Sequence, residues 1–547
     1  MYRLLVVFLF VVNGVSAQKI SKADKEILKY LEANVVYLAS DKLEGRRAGT
    51  QGETLAADFI SSKFKEIGLL PKGSLDSYFQ PFTVSDGKQI LQETILSINN
   101  KTLSQGSDFF PISNSPQSGL IKAEISPSLT ERDQPWMIDL TDDLSENKDN
   151  PHFDISGLLI SKITKAKEKG ASAVVLFNSG PIEDKIFFDT KDRSEPLPIP
   201  AIYITKEGIK NHLSDNGSTY DINFKVATGP KIRNTKNVIG YIDNKAQFTI
   251  VLGAHFDHLG YGEDGNSMMR TGEVMIHNGA DDNASGTSAL IELAFLLNKS
   301  KAKQYNYLFI AFSAEELGLN GSKYFVENPT ISLNTVNYMI NMDMVGRMND
   351  SSKTITVGGY GTSPTWKTMI DGIKKKPFNI RYDSSGSGPS DHTSFYRKDI
   401  PVLFFFTGLH TDYHKPSDDA DKINYLGQLQ IVKFIQQLIE GDKQQEKLAF
   451  TKTREQQTGT SARFSVSMGI MPDYTFSGNG VRVDGVSDNR PAKKAGITTG
   501  DIVKQMGDFK TSSVESYMQV LSKFKKGDKT TVTILRGEKE ISFEIIF

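Results

Sequence analysis

Acidic and histidine residues form five short clusters between positions 255 and 414 of this 547-residue chain. The clusters are His255-Phe256-Asp257-His258, Asp281-Asp282-Asn283, Glu315-Glu316, Asn341-Met342-Asp343 and Asp412-Tyr413-His414. Most of them come just after an apolar run that is typical of a buried strand. Charged groups that meet at one edge of a sheet need partners, and a divalent metal ion satisfies several of them at once. The clusters therefore predict a metal site.

The types of ligand indicate which metal and which chemistry to expect. Imidazole and carboxylate groups suit catalytic zinc, with cobalt or manganese as alternatives. Thiolate sites and cysteine nucleophiles are excluded because the sequence has 0 cysteines. Two histidines and three carboxylates are too many for one open tetrahedral ion, but they fit two ions that share a bridging carboxylate. In Glu315-Glu316, one side chain could bind metal while the other takes a proton from water.

Each cluster also has a purely structural interpretation when it is taken alone. Asp282 or Ser285 could cap a helix, and Glu315-Glu316 could form a solvated turn. Asp343 could cap a loop, and Tyr413 could be a packing residue. The metal interpretation depends on the five clusters occurring together and in order.

Alternating strands and helices are predicted to position the clusters. Long apolar stretches predict buried strands at 248–252, 307–312, 336–340 and 400–406. Residues 285–297 have apolar side chains at helical spacing. This alternation predicts an α/β domain, in which ligands bind at the carboxyl ends of the strands.

Composition divides the rest of the chain into regions, because 547 residues exceed what one core can accommodate. Residues 22–70 are predicted to be largely helical, and residues 85 to about 228 have short strands and a βαβ-like unit. Residues 443–462 are polar and are interpreted as a linker. Residues 463–547 are predicted to form a last domain of short strands with one or two helices.

The N-terminal pattern and the charge bear on location and partners. Residues 1–17 have Arg3, an apolar run and Val15-Ser16-Ala17, which is the pattern of a cleaved signal peptide. The run is too short to span a bilayer comfortably, so no stable membrane insertion is expected. A net charge of -1 indicates no global attraction to nucleic acid. We expect a periplasmic or secreted protein.

The five clusters, in this order, resemble the metal motifs of the di-zinc aminopeptidase family, which includes aminopeptidase Y and, more distantly, glutamate carboxypeptidase II. The matching segments are 253–258, 279–286, 314–318, 341–343 and 413–416. The resemblance covers about residues 22–84 and 234–441. It implies an α/β fold with a mixed, mostly parallel sheet and helices on both faces.

The same resemblance implies which residues bind metal. His255 and Asp343 would hold one zinc ion, and Glu316 and His414 would hold the other. Asp282 would bridge the two Zn²⁺ ions.

It also implies roles for residues beside the metals. Glu315 would be the general base, and Asp257 would orient the imidazole of His255 as a carboxylate behind the ligand. Tyr413 would donate a hydrogen bond to the oxyanion.

Other residues resemble family positions that support the site, or lie near its motifs. The support candidates are Ser390, Asp391, His392 and Asp418. His258, His277 and His410 either line the pocket or are hydrogen-bonded loop histidines.

Two further regions resemble known domains. The segment 162–177, followed by 198–204, resembles a protease-associated (PA) domain. This resemblance covers about residues 100–228 and predicts an inserted PA domain at residues 85–233, which would be a wall or lid for substrate or a purely structural insertion. Residues 463–547 resemble a PDZ domain, with Met468-Gly469-Ile470 at the carboxylate-binding turn and 490–497 and 500–503 matching bacterial protease PDZ domains. A C-terminal peptide could add there as a strand, unless the groove is filled by its own chain.

The function implied by these resemblances is an exported zinc aminopeptidase that acts on peptides. The alternatives are a carboxypeptidase, a glutaminyl cyclase on the same scaffold, or a non-catalytic binding protein that works through its PDZ domain.

Overall fold

The computed structural model describes residues 21–148, 150, 153–192, 194–213, 219–269, 273–442, 446–453, 466–472, 476, 478–486, 490–512, 514–521, 523–525 and 527–547. The predicted signal peptide, residues 1–17, lies outside these ranges. Within the described residues, every helix is too short or too polar to cross a membrane.

Two amphipathic helices begin the described chain. The first elements are α1 (Lys22–Leu38), α2 (Gln51–Ile67), β1 (Leu70–Pro71) and β2 (Phe79–Ile90). The Thr50 hydroxyl accepts the Glu53 backbone N–H at the start of α2, and Gly68 ends this helix in the left-handed conformation. Both helices bury apolar side chains, such as Val35 and Phe64, in the core beside the main sheet. The predicted helical character of this region is confirmed.

The inserted region forms two small sheets with helices beside them. Its elements are β3 (Ile95–Ile98), β4 (Lys101–Thr102), β5 (Phe109–Pro111), β6 (Ile121–Ile125), β7 (Pro135–Asp139), α3 (Thr141–Glu146), α4 (Ile155–Glu168), β8 (Ala173–Phe177), β9 (Ala201–Ile204), α5 (Lys206–His212) and β10 (Tyr220–Lys225). The sheet orders are β4-β3-β10-β6 and β5-β9-β8-β7. The βαβ-like unit is present, since β7, β8 and β9 are parallel neighbours.

The main sheet carries the predicted clusters. Its region contains β11 (Thr228–Ile242), β12 (Thr249–His255), α6 (Gly286–Lys299), β13 (Asn306–Phe312), α7 (Asn320–Glu327), β14 (Val336–Met342), β15 (Thr354–Gly358), α8 (Thr365–Asp371), β16 (Asn379–Tyr382), α9 (His392–Tyr396), β17 (Val402–Phe406) and α10 (Tyr425–Gly441). The strand order is β1-β11-β13-β12-β14-β17-β15-β16, and β12, β13, β14 and β17 are mutually parallel. Apolar residues of helices pack on both faces of this sheet. The predicted α/β class with a mixed, mostly parallel sheet is confirmed.

A long antiparallel ribbon joins the insertion to the main sheet. β2 pairs with β11 from Phe79 opposite Val238 to Ile90 opposite Thr228. The predicted domain limits at residues 85 and 233 therefore fall inside two continuous strands. The ribbon makes the insertion an extension of the sheet that carries the clusters.

The C-terminal region forms a separate small sheet around an apolar core. Its elements are β18 (Ile470–Pro472), β19 (Val481–Val486), α11 (Pro491–Ala495), β20 (Ile502–Met506), β21 (Phe509–Lys510), α12 (Val514–Leu521), β22 (Lys529–Arg536) and β23 (Lys539–Ile546). The strand order is β18-β19-β20-β22-β23, so β18 lies at an edge in the described part of this sheet.

The described part of the predicted linker packs against the main domain. Leu448 is buried, and its backbone N–H donates to Asn337 Oδ1 at 2.8 Å. The ring of Phe450 lies 5.6 Å from that of Tyr396. Residues 446–453 therefore pack along the surface of the main domain, because this part of the polar segment contains apolar side chains.

Candidate metal centre

The carboxyl ends of the parallel strands bring all five clusters together. His255 is the last residue of β12, and Asp343 directly follows β14. Glu315-Glu316 lies just after β13, and His414 lies in the loop between β17 and α10. Asp282 has non-helical backbone angles in the turn that leads into α6. The sheet topology therefore explains why residues distant in sequence meet at one edge.

The Asp282 carboxylate lies between two histidines. Its Oδ1 is 3.3 Å from His255 Nε2, and its Oδ2 is 3.3 Å from His414 Nε2. Asp343 Oδ1 is also 3.3 Å from His255 Nε2, and Glu316 Oε2 is 3.2 Å from His414 Nε2. The side chains thus form two imidazole–carboxylate pairs joined by Asp282. We call the first pair the sheet half and the second pair the loop half.

The geometry fits divalent metal ions. Two groups, His255–Asp282–Asp343 and His258–Asp282–Glu316, each bring their potential ligand atoms within 4.8 Å of one another. These carboxylates are largely buried, and buried negative charge is costly without a compensating cation. Nitrogen and oxygen donors in this mixture suit catalytic zinc. The residues present can therefore hold two ions that share Asp282.

Attraction between the Glu316 carboxylate and the His414 imidazole shifts the pKa values of both groups in the loop half. Burial alone would raise the pKa of Glu316, but the positive charge of His414 outweighs burial and lowers this pKa to about 2. Although burial opposes this shift too, Glu316 raises the pKa of His414 to about 11. Without a metal, the histidine therefore carries the positive charge that a cation would supply.

The neighbouring glutamates occupy different environments. Glu315 Oε2 lies 4.0 Å from His255 Nε2, whereas Glu316 contacts His414. Burial, together with repulsion from Glu316, raises the pKa of Glu315 well above its ordinary value. The turn after β13 therefore places the Glu315 carboxylate, which has a raised pKa, beside the sheet half, and the Glu316 carboxylate in the loop half.

The Asp257 carboxylate lies under this glutamate turn. Its oxygens accept the backbone N–H groups of Glu315 at 3.1 Å and of Glu316 at 3.4 Å. The His255 Nδ1 atom is 3.2 Å from the Asp257 carbonyl oxygen and 3.8 Å from the carboxylate. The carbonyl is therefore the nearer partner of the imidazole, and the carboxylate mainly positions the two glutamates.

Tyr413 lies beside the loop half. Its ring stacks on the His414 imidazole with centroids 3.9 Å apart. Burial and the nearby Asp282 carboxylate raise the pKa of Tyr413 far above its ordinary value, so the phenol keeps its proton. It is available as a hydrogen-bond donor next to the candidate ligand His414.

The predicted support residues differ in their contacts. Ser390 Oγ donates to Asp343 Oδ2 at 2.7 Å. Asp418 accepts the backbone N–H groups of Asp281 and Asp282 at 3.0 and 3.1 Å. His392 stacks on Phe404. Ser390 and Asp418 thus touch the ligand-bearing segments directly.

The structure also shows the contacts of His410 and His277 and the burial of Asp391. His410 Nε2 is 3.2 Å from Asp281 Oδ2, and His277 Nε2 is 2.7 Å from Ser267 Oγ. Asp391 is buried at the start of α9, and burial raises its pKa to about 7.

Arg46 is a site residue that the sequence reasoning missed. Its buried guanidinium donates to the carbonyls of Phe256, Asn278 and Gly279 at 2.7 to 3.0 Å, and also to the Leu38 carbonyl. Phe256 follows His255, and Gly279 precedes the turn that carries Asp282. Arg46 therefore ties together two segments that carry ligands. No sequence signal distinguishes it from Arg47, which pairs with Asp86 and Asp264.

One loop connects the insertion with the loop half. The Asn266 carbonyl oxygen lies 2.9 Å from His414 Nδ1, and the Met268 N–H donates to the His414 carbonyl. Earlier in the same loop, the Glu263 carbonyl accepts a hydrogen bond from the Lys191 side chain of the insertion. The Lys191 Nζ atom also lies 3.9 Å from Asp264 Oδ1. The insertion therefore borders the metal centre through this loop.

Comparisons with known proteins agree with this architecture. Residues 237–439 match peptidase family M28, and residues 442–546 match the PDZ domain. Aminopeptidase YwaD of Bacillus subtilis (strain 168) is 25% identical over 428 residues, covering 75% of this chain and 84% of that protein. Leupeptin-inactivating enzyme 1 of Streptomyces exfoliatus is 34% identical over 173 residues, covering 29% of this chain and 37% of that protein.

Among solved structures, the chain is similar to BSAP, a zinc aminopeptidase from Bacillus subtilis. The two are 20% identical with a TM-score of 0.42, covering 77% of this chain and 98% of that one. The chain therefore contains a segment, residues 237–439, that matches peptidase family M28, followed by a segment that matches the PDZ domain.

Proposed function

We propose that the chain is an exported zinc aminopeptidase that removes N-terminal residues from peptides. The main support is the Asp282 carboxylate, which lies 3.3 Å from an imidazole on each side. The similarity to YwaD, which is named an aminopeptidase, favours this activity within the family. The PDZ match and the metal-site geometry fit a peptidase that also binds peptide ends.

The same five side chains would hold two zinc ions. His255 and Asp343 would bind one ion, Glu316 and His414 the other, and Asp282 both. When bound, such a pair of ions polarises the scissile carbonyl and lowers the pKa of water. The 3.3 Å distances from His255 Nε2 to Asp282 and Asp343 support the first assignment, and the distances of 3.3 and 3.2 Å from His414 Nε2 to Asp282 and Glu316 support the second.

The residues beside the metals would handle protons and charge. Glu315 would accept a proton from the attacking water and pass it to the leaving amine, for which its raised pKa is suitable. The Tyr413 hydroxyl would donate to the developing oxyanion. The Asp257 carboxylate would hold the backbone of Glu315 and Glu316 in place.

The other regions would control which peptides reach the centre. The peptidase domain would comprise residues 22–84 and 234–441, with residues 85–233 as an inserted PA domain that limits access. The contact of Lys191 with the loop at Glu263 supports this position for a wall. In the PDZ domain, residues 463–547, the edge strand β18 would receive a C-terminal peptide.

Export is proposed from residues 1–17, which have the pattern of a cleaved signal. Determination of the mature N-terminus after expression in bacteria tests this point. A periplasmic or secreted protein that begins at Gln18 is the expected result. An uncleaved cytoplasmic protein would contradict it.

The reaction class is tested with matched peptides that have free or acetylated N-termini, each with and without a chelator. We expect release of N-terminal residues from the free peptides only, and loss of this activity with the chelator. Release of C-terminal residues from acetylated peptides would instead indicate a carboxypeptidase. Cyclisation of an N-terminal glutamine would indicate a cyclase. A purified protein that contains no zinc and turns over none of the peptides would indicate a binding protein.

A further inference from the structure

His258 is a third buried imidazole in the metal centre, and the five-ligand scheme leaves it without a role. Its Nδ1 atom lies 2.8 Å from Glu316 Oε1. The other oxygen of this carboxylate, Oε2, lies 3.2 Å from His414 Nε2. The two oxygens of Glu316 therefore face two different histidines.

The position of His258 is fixed on both sides. Its backbone N–H donates to the Arg46 carbonyl at 3.2 Å. Its ring packs against Gly279, where an added Cβ would lie 2.5 Å from His258 Cδ2. Such close packing leaves the imidazole little freedom to rotate, so its direction toward Glu316 is built into the fold.

The contact has the properties of a hydrogen bond. A distance of 2.8 Å is normal for a nitrogen donor and a carboxylate oxygen. An ionised carboxylate only accepts, so the proton is on His258 Nδ1. The next carboxylate, Asp282, is more distant, with its Oδ2 at 4.0 Å. Carboxylates that bind metal are commonly oriented by a hydrogen bond of this type.

We propose that His258 is a positioning residue that donates from Nδ1 to Glu316 Oε1 and so presents Oε2 to the metal beside His414. This inference rests on the proposed two-zinc centre. His258 would act through Glu316 and would not itself bind the ion.

The test is the zinc affinity of each site, measured by competition with a chromogenic chelator. The variants are His258→Leu, which removes the donor, and His258→Asn, whose amide nitrogen can occupy the place of Nδ1. His277→Asn is the matched control, since His277 is a nearby histidine that contacts Ser267 and Met275. We expect His258→Leu to weaken one of the two zinc sites by about 10- to 100-fold. His258→Asn and the control should bind both ions nearly as the wild type does.

Several outcomes would overturn the proposal. Wild-type affinity in His258→Leu would show that the hydrogen bond does not matter. An equal loss in the Leu and Asn variants would make His258 a direct ligand, and an equal loss in His277→Asn would make the effect unspecific. If His258→Leu does not fold, His258→Asn decides by keeping or losing the affinity. A wild-type protein that does not bind two zinc ions would instead contradict the proposed function.

Discussion

The two halves of the metal centre are built from different parts of the fold. In the sheet half, His255 ends β12 and Asp343 follows the adjacent parallel strand β14, so strand register sets their separation. In the loop half, His414 has a positive φ of 54° and is held by hydrogen bonds with another loop. The His255 side chain is 1% exposed and that of His414 13% exposed. One half is thus preformed by the sheet, whereas the other depends on contacts between loops.

The largest effect is expected from Glu315→Gln, which alters the sheet half without removing a proposed ligand. Loss of the proton acceptor should lower kcat by about 10²- to 10⁴-fold. Zinc content should not change, because Glu316 on the same turn is the proposed ligand. Kinetics on a peptide with a free N-terminus and metal analysis test this. Wild-type turnover with both ions bound would contradict the role of Glu315.

Removal of one imidazole from each half compares their rigidity directly. We expect His414→Ala to keep about one zinc per chain, because the sheet half remains in place. His255→Ala should keep less, because the loop half lacks strand support. Metal analysis after dialysis measures both. A larger loss in His414→Ala than in His255→Ala would reverse the comparison.

The loop half should also respond to pH in the metal-free protein. The folded-state pKa of His414 is raised to about 11, so its ion pairs stabilise the protein fully below the unfolded value of about 6.5. This contribution declines as the pH rises through about 11. The difference in melting temperature between metal-free wild type and His414→Ala should therefore shrink toward alkaline pH. A constant difference would contradict the ion-pair explanation. Zinc affinity should show the opposite trend, because protons compete for the imidazole.

The smallest effect is expected from Ser390→Ala in the sheet half. This change removes the donor to Asp343 Oδ2, but strand register still holds the aspartate. We expect a loss of zinc affinity of about 10-fold, at the low end for such a partner. Ser394→Ala is a control from the helix α9 that follows Ser390, since Ser394 pairs with Ser322. A loss larger than that in His258→Leu would mean that the sheet half is not the more rigid one.

The elements that carry the centre could be predicted because their apolar patterns are local. The strand predicted at 336–340 is Val336–Met342, and the helix predicted at 285–297 is Gly286–Lys299. The pairing of β2 with β11 could not be predicted, since alternation does not specify the partner of a strand. For the same reason, the predicted limits of the insertion, residues 85 and 233, lie within this ribbon.

The ligand types and their order predicted which side chains meet, but not how each is oriented. The Asp257 carboxylate points toward the backbone N–H groups of Glu315 and Glu316, because the turn that follows β13 packs against this carboxylate. The role of Arg46 depends on backbone carbonyls more than 200 positions away. Because every residue has a backbone carbonyl, the sequence does not indicate which ones accept a hydrogen bond from Arg46. For a similar reason, the sequence does not distinguish a pocket position from a hydrogen-bonded loop position for His258.

The buried Arg46 has a consequence for the smallest fragment that can be functional. The segment that matches the peptidase family begins at residue 237, well after this arginine. A protein cut at that point would leave the Phe256 carbonyl without its Arg46 donor, remove one of two donors to the Gly279 carbonyl, and expose the core face covered by α1 and α2. Transplanting or minimising this enzyme therefore requires the first helices together with the catalytic segment.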